Sequence, residues 1–249
     1  ATLPNGKILI DVSDKYCPPG ILPERAINNG GLLLNNEGGE WCSIDPGKTS
    51  SKTVSCNLSF QDDNSLKGKL ELRYNDYAAV DFRREWDTFT STDDYLESFE
   101  KKNSHILVTD YSNTLNPSKP TLLNEHMEIE IVNSVNQAGD LLSFSPVFFG
   151  KQNSNPFRLE KRVYPVDFTT SRKWMYILTV EIPSGYIPES LPKPLMVTNQ
   201  TKTMSYTYNI TRNENSLQIL IRFDIKKPVF LMDEYEDLKL MYNAILAKE

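Results

Sequence analysis

The chain has 249 residues, a formal net charge of −6 and 39% hydrophobic residues, enough length and apolar content to bury a core in one or two domains and too much for a disordered chain. With 33 acidic against 27 basic side chains and no Lys/Arg run, a sequence-independent grip on nucleic-acid phosphates or an anionic membrane is disfavoured, and nucleic acid is set aside as a partner. No run of about eighteen apolar residues marks a transmembrane segment, and the first residues lack the basic-then-apolar layout of a signal peptide.

In chain order, Ile8 to Asp11 reads as a strand ending in an acid, followed at once by the Pro18-Pro19-Gly20 turn region, a common way to present a carboxylate at a rim. From Pro18 to about Lys52, glycines break up short apolar runs. Gly38-Gly39 between Leu32–Leu34 and the Trp41 segment predicts a hairpin turn. From Thr53 the period becomes two: Val54, Cys56, Leu58 and Phe60, a turn at Asp62-Asp63-Asn64, then Leu66 to Tyr74 alternating with Lys67, Lys69, Glu71 and Arg73. That is an antiparallel hairpin with one wet face.

Between Asp76 and Lys102 the period shifts toward 3.6. Ala79, Phe82, Trp86 and Phe89 share one helical face, Tyr95, Leu96 and Phe99 a second, and Ser91 with Asp94 forms a capping pair for the second helix. These aromatics read as core. Strands resume at His105–Tyr111, Leu122–Val132 and around Leu141–Phe149; His126 falls on the polar phase of its strand and reads as solvated. The polar stretch from Gly150 to Pro156 is the best internal boundary. Beyond it lie strands at Phe157–Phe168, Trp174–Ile182, Met204–Ile210 and Leu217–Ile225, the last two facing each other across Asn213-Glu214-Asn215. A closing helix starts near Asp233, with Asp233 as N-cap, Glu236 in the first turn and a stripe of Leu238, Met241, Tyr242, Ile245 and Leu246.

The chemistry is sparse. Cys17, Cys42 and Cys56 form no CxxC pair, only His105 and His126 accompany them, and no metal site or cofactor is expected. Cys56 alternates with core residues, so free thiols are favoured over a disulfide. There is no G-x-S-x-G elbow, phosphate loop or H-E-x-x-H helix, and the pairs Asp62-Asp63 and Asp93-Asp94 are explained by a turn and a helix start.

Two segments carry a family resemblance. Ile8 to Arg25, with IDVSD, PPGILPER and then Asn28-Asn29-Gly30, resembles the end of the transglutaminase-like domain of large bacterial envelope proteins. Arg162 to Phe168 (RVYPVDF), Ile182 to Pro192 and the closing Glu234 to Asn243 resemble the C-terminal domain of unknown function that follows it. The resemblance implies that Asp11 is the acid of a Cys-His-Asp triad, orienting a His that activates a Cys for acyl transfer or peptide hydrolysis. The alternative is that Asp11 merely ends a strand or caps the turn. The Cys and His of that triad precede the Asp in the family, and none of Cys17, Cys42 or Cys56 matches the nucleophile, so this polypeptide is expected to be inert as an enzyme. The resemblance further implies a cell-envelope location, periplasmic or exported, and the transglutaminase-like domain of the same parent as principal partner.

The expected fold is mainly β, antiparallel and sandwich-like, with a helical insertion at about 76–102 and a C-terminal helix. The expected division is 1–48, the tail of a transglutaminase-like domain and linker; 49–150, a β-rich domain with the insertion; and 151–249, a C-terminal β domain. Two functions remain open: a noncatalytic accessory module packing on the catalytic domain, and an autonomous module binding glycan or peptide through Trp41, Trp174 and Tyr186. Each of these aromatics is individually better explained by core or turn packing. A contiguous apolar patch near Asp11 would favour docking, and a planar row of exposed aromatics would favour glycan.

Overall fold

The computed structural model describes residues 2–3, 6–27, 30–36, 38–45, 47–116 and 118–248. Asn28 and Asn29 of the N-terminal motif lie outside them. The organising element is an eight-stranded sheet built from β1 (Ser50–Phe60), β2 (Leu66–Asn75), β3 (Ile106–Asn113), β4 (Leu122–Ile131), β5 (Arg172–Glu181), β6 (Leu195–Thr198), β7 (Met204–Arg212) and β8 (Ser216–Ile225). Their order across the sheet is β6-β7-β8-β5-β1-β2-β4-β3. Every neighbouring pair is antiparallel except β1 with β5, which run parallel from Ser50 opposite Arg172 to Ser59 opposite Glu181. That central pair joins an N-terminal group of four strands to a C-terminal group of four, and one sheet therefore runs across residue 150.

Strict alternation puts one row of each strand on a covered face. Val54, Cys56 and Leu58, then Leu70 and Leu72, Met127 and Ile129, Tyr176 and Leu178, Tyr206 and Tyr208, and Ile219 and Ile221 are all buried in a single core. The opposite face is wet, with Lys67 and Lys69 facing Glu130 and Glu128 across strands at 3.1 and 3.6 Å. His126 is exposed there, as its phase predicts. The layer on the covered face is made of α1 (Tyr77–Trp86), α2 (Thr92–Lys102), the Val147–Phe149 segment, Phe157, and α3 (Tyr235–Leu246). Each fully buried side chain of this size contributes about 1.5–3 kcal/mol.

Local chemistry explains the turns. Between β1 and β2, Asn64 takes φ +63° and the Asp63 carboxylate accepts the Ser65 N–H at 3.0 Å. Gly68 is needed for a different reason: a Cβ there would lie 1.9 Å from the Asn57 carbonyl oxygen of the neighbouring strand. The Ser91 hydroxyl accepts the Asp94 N–H at 3.1 Å, so the anticipated cap on α2 forms.

Several boundaries differ from the sequence reading. Ile8–Asp11 is not a strand; only short Thr2–Leu3 and Gly6–Lys7 strands precede it, and the Leu9 carbonyl accepts one N–H, from Gly20. The hairpin Gly31–Asn35 with Gly38–Cys42 exists, but Gly38 and Gly39 sit inside its second strand. Phe157–Phe168 shrinks to Val166–Asp167, paired with Val229–Phe230, because Pro165 interrupts the ladder and charged residues break the period. The strand from Leu141 stops at Phe144 and pairs with Val135–Ala138, while Val147–Phe149 turns inward as core. The closing helix is entered through a 3₁₀ turn at Met232–Glu234, and Glu234 rather than Asp233 stands at its N-cap, the Glu234 carboxylate closing the 3₁₀ turn by accepting the Leu231 N–H at 2.9 Å and the Lys227 ammonium.

Candidate functional site

Residues 8–27 wrap the outer side of α1. Ile21, Tyr77 and Val80 form a small second core with Tyr16, Cys17 and Ile27 at its edge. Ion pairs pin the loop: Asp14 to Arg84 at 3.1 Å and Lys15 to Asp87 at 2.7 Å. Asp11 sits on this loop. Its Oδ1 accepts the Ser13 hydroxyl at 2.6 Å and the Ser13 N–H at 2.9 Å, and its Oδ2 accepts Arg25 at 3.2 Å. These contacts, the Ser13 hydroxyl first, hold the Asp11 carboxyl below the usual range. No histidine bonds Asp11 among the described residues.

The cysteines are all free thiols. Cys17 is half-buried, and burial together with the nearby Asp14 charge pushes its thiol up to about 11; Cys56 is buried and pushed up to about 12. Neither is thiolate at neutral pH, so neither is an activated nucleophile. Among the described residues no three His, Cys, Asp or Glu side chains gather as a metal site, and no helix is long and apolar enough to cross a membrane.

In the hairpin that follows this loop in sequence, apolar side chains face solvent. Leu32 lies opposite Trp41 and Leu34 opposite Gly39 in the Gly31–Cys42 hairpin, so the three large side chains share one face; they are 50%, 77% and 74% exposed for Leu32, Trp41 and Leu34. Leu9, Ile10 and Val12, flanking Asp11, are exposed as well. A two-stranded hairpin is marginal on its own, and an apolar face on one is ordinarily covered.

On the covered face of the sheet lies a second constellation. Glu125 of β4 is fully buried and accepts three tyrosine hydroxyls: Tyr95 at 2.6 Å, Tyr74 at 2.7 Å and Tyr111 at 3.0 Å. Burial raises the Glu125 carboxyl although the tyrosines oppose the shift. Trp86 closes this box, 5.0 Å from Tyr95 and stacked on Tyr111 at 6.0 Å. Lys52 of β1 is half-buried, its ammonium 4.9 Å from the centre of the Tyr74 ring. Desolvation lowers its pKa, with Glu125 acting against it.

Lys52 also lines a cleft of about 300 Å³ with Ser50, Arg172, Trp174, Gly150 and Tyr242. The register sets this arrangement, since Ser50 faces Arg172 and Lys52 faces Trp174 across the central parallel pair. Gly150, at φ +71°, lies so close to the Trp174 indole that a Cβ would come within 2.9 Å of it. Residues 140–249 match a family described as a domain of unknown function with a solved structure, DUF3858. No curated protein and no solved structure matches the chain. The DUF3858 segment supplies β5 to β8 and α3, hence Arg172, Trp174 and Tyr242 of the cleft, whereas Ser50 and Lys52 come from the strand before it.

The residues singled out in the sequence are not brought together. Trp41 is on the exposed hairpin, Trp174 is in the cleft stacked on Tyr176, and Tyr186 lines a separate groove of about 1070 Å³ with Phe60, Phe144 and Leu217. Lys52 and Glu125 escaped the sequence reading. The signal was present: Lys52 is in phase with Val54 and Cys56, and Glu125 with Met127 and Ile129, so each is a charge on an apolar phase.

Proposed function

We propose that this chain is a noncatalytic accessory module that packs on a transglutaminase-like catalytic domain of the same parent protein in the cell envelope. The observation that carries this reading is the exposed apolar set Leu9, Ile10, Val12, Leu32, Leu34 and Trp41, six large apolar side chains within residues 9–41, the stretch that includes Asp11. The resemblance of Ile8–Arg25 to the end of such a domain supports the choice of partner, while the DUF3858 match over residues 140–249 agrees only with a C-terminal domain of unknown function. Asp11 then serves the parent's triad. Its side chain, bonded at Oδ2 among the described residues only to the exposed Arg25, would accept an imidazole N–H, fixing the tautomer of a His that deprotonates a Cys outside this chain. Trp41, Trp174 and Tyr186 line no common pocket, which favours docking over the alternative of an autonomous glycan- or peptide-binding module.

The test is the triple substitution L32S/L34S/W41S in the parent and in the isolated chain. In the isolated chain the midpoint of unfolding stays put, because exposed substitutions cost within about 0.5 kcal/mol. In the parent the lost burial amounts to about 1.5–3 kcal/mol per side chain, and the accessory and catalytic units unfold in separate transitions. An unchanged single transition in the substituted parent would overturn the docking role.

A further inference from the structure

The cleft on the covered face holds charge that the fold does not neutralise. Lys52 and Arg172 line it from adjacent strands, and among the described residues neither has a carboxylate within 4 Å. Arg172 spends one guanidinium nitrogen on the Phe168 carbonyl at 3.3 Å and lies 5.3 Å from that residue's ring centre, which fixes its plane and leaves its other donors unused among the described residues. Acidic groups stand farther off: Asp81 of α1 acts on Arg172 through space, and Glu125 and Glu85 act on Lys52. Arg172 is itself exposed and Lys52 half-buried, whereas bases such as Arg84 and Lys227 are paired with carboxylates.

Ser50, Gln152 and Lys173 add polar lining, and the remainder is aromatic or apolar. Trp174 forms one wall, with Phe223, Ile225 and Ile245 beside it. The wall is rigid, because the Trp174 indole lies parallel to Tyr176 at 6.0 Å and has the Gly150 backbone against its edge. Tyr242 is held between Phe157 and Phe223 by edge contacts at 5.0 and 5.5 Å. A concave site of about 300 Å³, mostly apolar with a few convergent polar groups, is the usual form of a small-molecule pocket. A planar guanidinium beside an ammonium recognises an oxyanion, and the aromatic wall beside it favours a carboxylate carried on an apolar body over a bare phosphate.

We propose that this cleft binds a small carboxylic acid with an apolar or aromatic body, the acid held between Lys52 and Arg172 and the body laid against Trp174. The site spans the DUF3858 segment and the preceding strand, so it exists only when both are present, and it does not depend on the docking role. Ligand entering it desolvates Lys52 further and supplies the counter-charge that Lys52 lacks.

The probes are N-acetylphenylalanine, its neutral carboxamide and inorganic phosphate, titrated into the whole chain by calorimetry and followed in amide and indole ¹H–¹⁵N spectra. The acid binds and shifts the Trp174 indole signal, identified among the three tryptophan indoles by its absence from Trp174→Phe. The carboxamide binds at least about tenfold more weakly, the loss expected for one charge-assisted contact. Phosphate, lacking the body, binds more weakly than the acid. Arg172→Gln and Lys52→Met each reduce acid affinity by about tenfold with an unchanged circular-dichroism spectrum. Equal binding of acid and carboxamide, phosphate binding as tight as the acid, or shifts gathered at the Tyr186 groove would each overturn the proposal. The acid-to-amide comparison uses unsubstituted protein, so it decides the matter even if a variant fails to fold.

Discussion

Replacing Glu125 by Leu tests whether the buried tyrosine–glutamate cluster is an interdependent unit. The substitution strips the acceptor from three hydroxyls, but they are not equivalent. Tyr111 is half-buried, so its freed O–H is open to water, and it still accepts the Asn113 amide at 3.0 Å, while Tyr74 and Tyr95 are buried and have no other hydrogen-bond partner for the hydroxyl among the described residues. Each buried hydroxyl left unpaired costs about 1–3 kcal/mol, giving roughly 2–6 kcal/mol for the two. Removing a buried carboxylate also removes its own desolvation cost, which places the expected loss near the lower half, about 2–4 kcal/mol. That is a large part of the 5–15 kcal/mol typical of a folded domain. Adding Y74F and Y95F to E125L removes the orphaned hydroxyls, and the triple variant should recover to within about 1 kcal/mol of wild type. Urea unfolding with constant m supplies the free energies. A loss below about 1 kcal/mol for E125L, or a triple variant no better than the single one, would refute the reasoning.

The same carboxyl has a pH signature. Its folded pKa is raised above the ordinary 4.5, so the folded state holds the proton more tightly, and stability should fall as pH rises from about 4.5 through the folded pKa. Glu125→Gln should abolish that component, which a pH series of urea midpoints for both proteins would reveal as a shrinking wild-type advantage. Gly68→Ala should cost about 3 kcal/mol or more, because the added methyl meets the Asn57 carbonyl at 1.9 Å and two central strands must part; a thermal midpoint near wild type would contradict this. Ser91→Ala should cost about 1 kcal/mol through the lost α2 cap, read by calorimetry. Leu238→Ala, on the fully buried face of α3, should cost about 2–5 kcal/mol in the same assay.

The sheet was legible wherever strict alternation had one wet face. β1, β2, β4, β7 and β8 follow from their periods, and α2 follows from Ser91, Asp94 and its aromatic stripe. Long-range pairing was not legible: nothing local announces that β1 lies parallel to β5, more than a hundred residues away in sequence. Short edge elements were lost for a related reason. Leu195–Thr198 follows prolines and is held by β7 alone, and Val135–Ala138 is held by its hairpin partner. Of the candidate site, Asp11 and Trp174 were named from the sequence, one as part of a loop motif and one as an aromatic. Lys52 and Glu125 were passed over because a single charge in an apolar phase resembles a strand end until the neighbouring strands place tyrosines around it.

Hydrogen exchange at the amides of residues 9–12, 31–35 and 38–42 tests the accessory-module account most directly, with the isolated chain and the intact parent compared under identical conditions. Docking of the apolar hairpin face predicts that exchange there slows by about tenfold or more in the parent, while β1 and β5 stay equally protected in both. Equal exchange at the hairpin in the two proteins would contradict it.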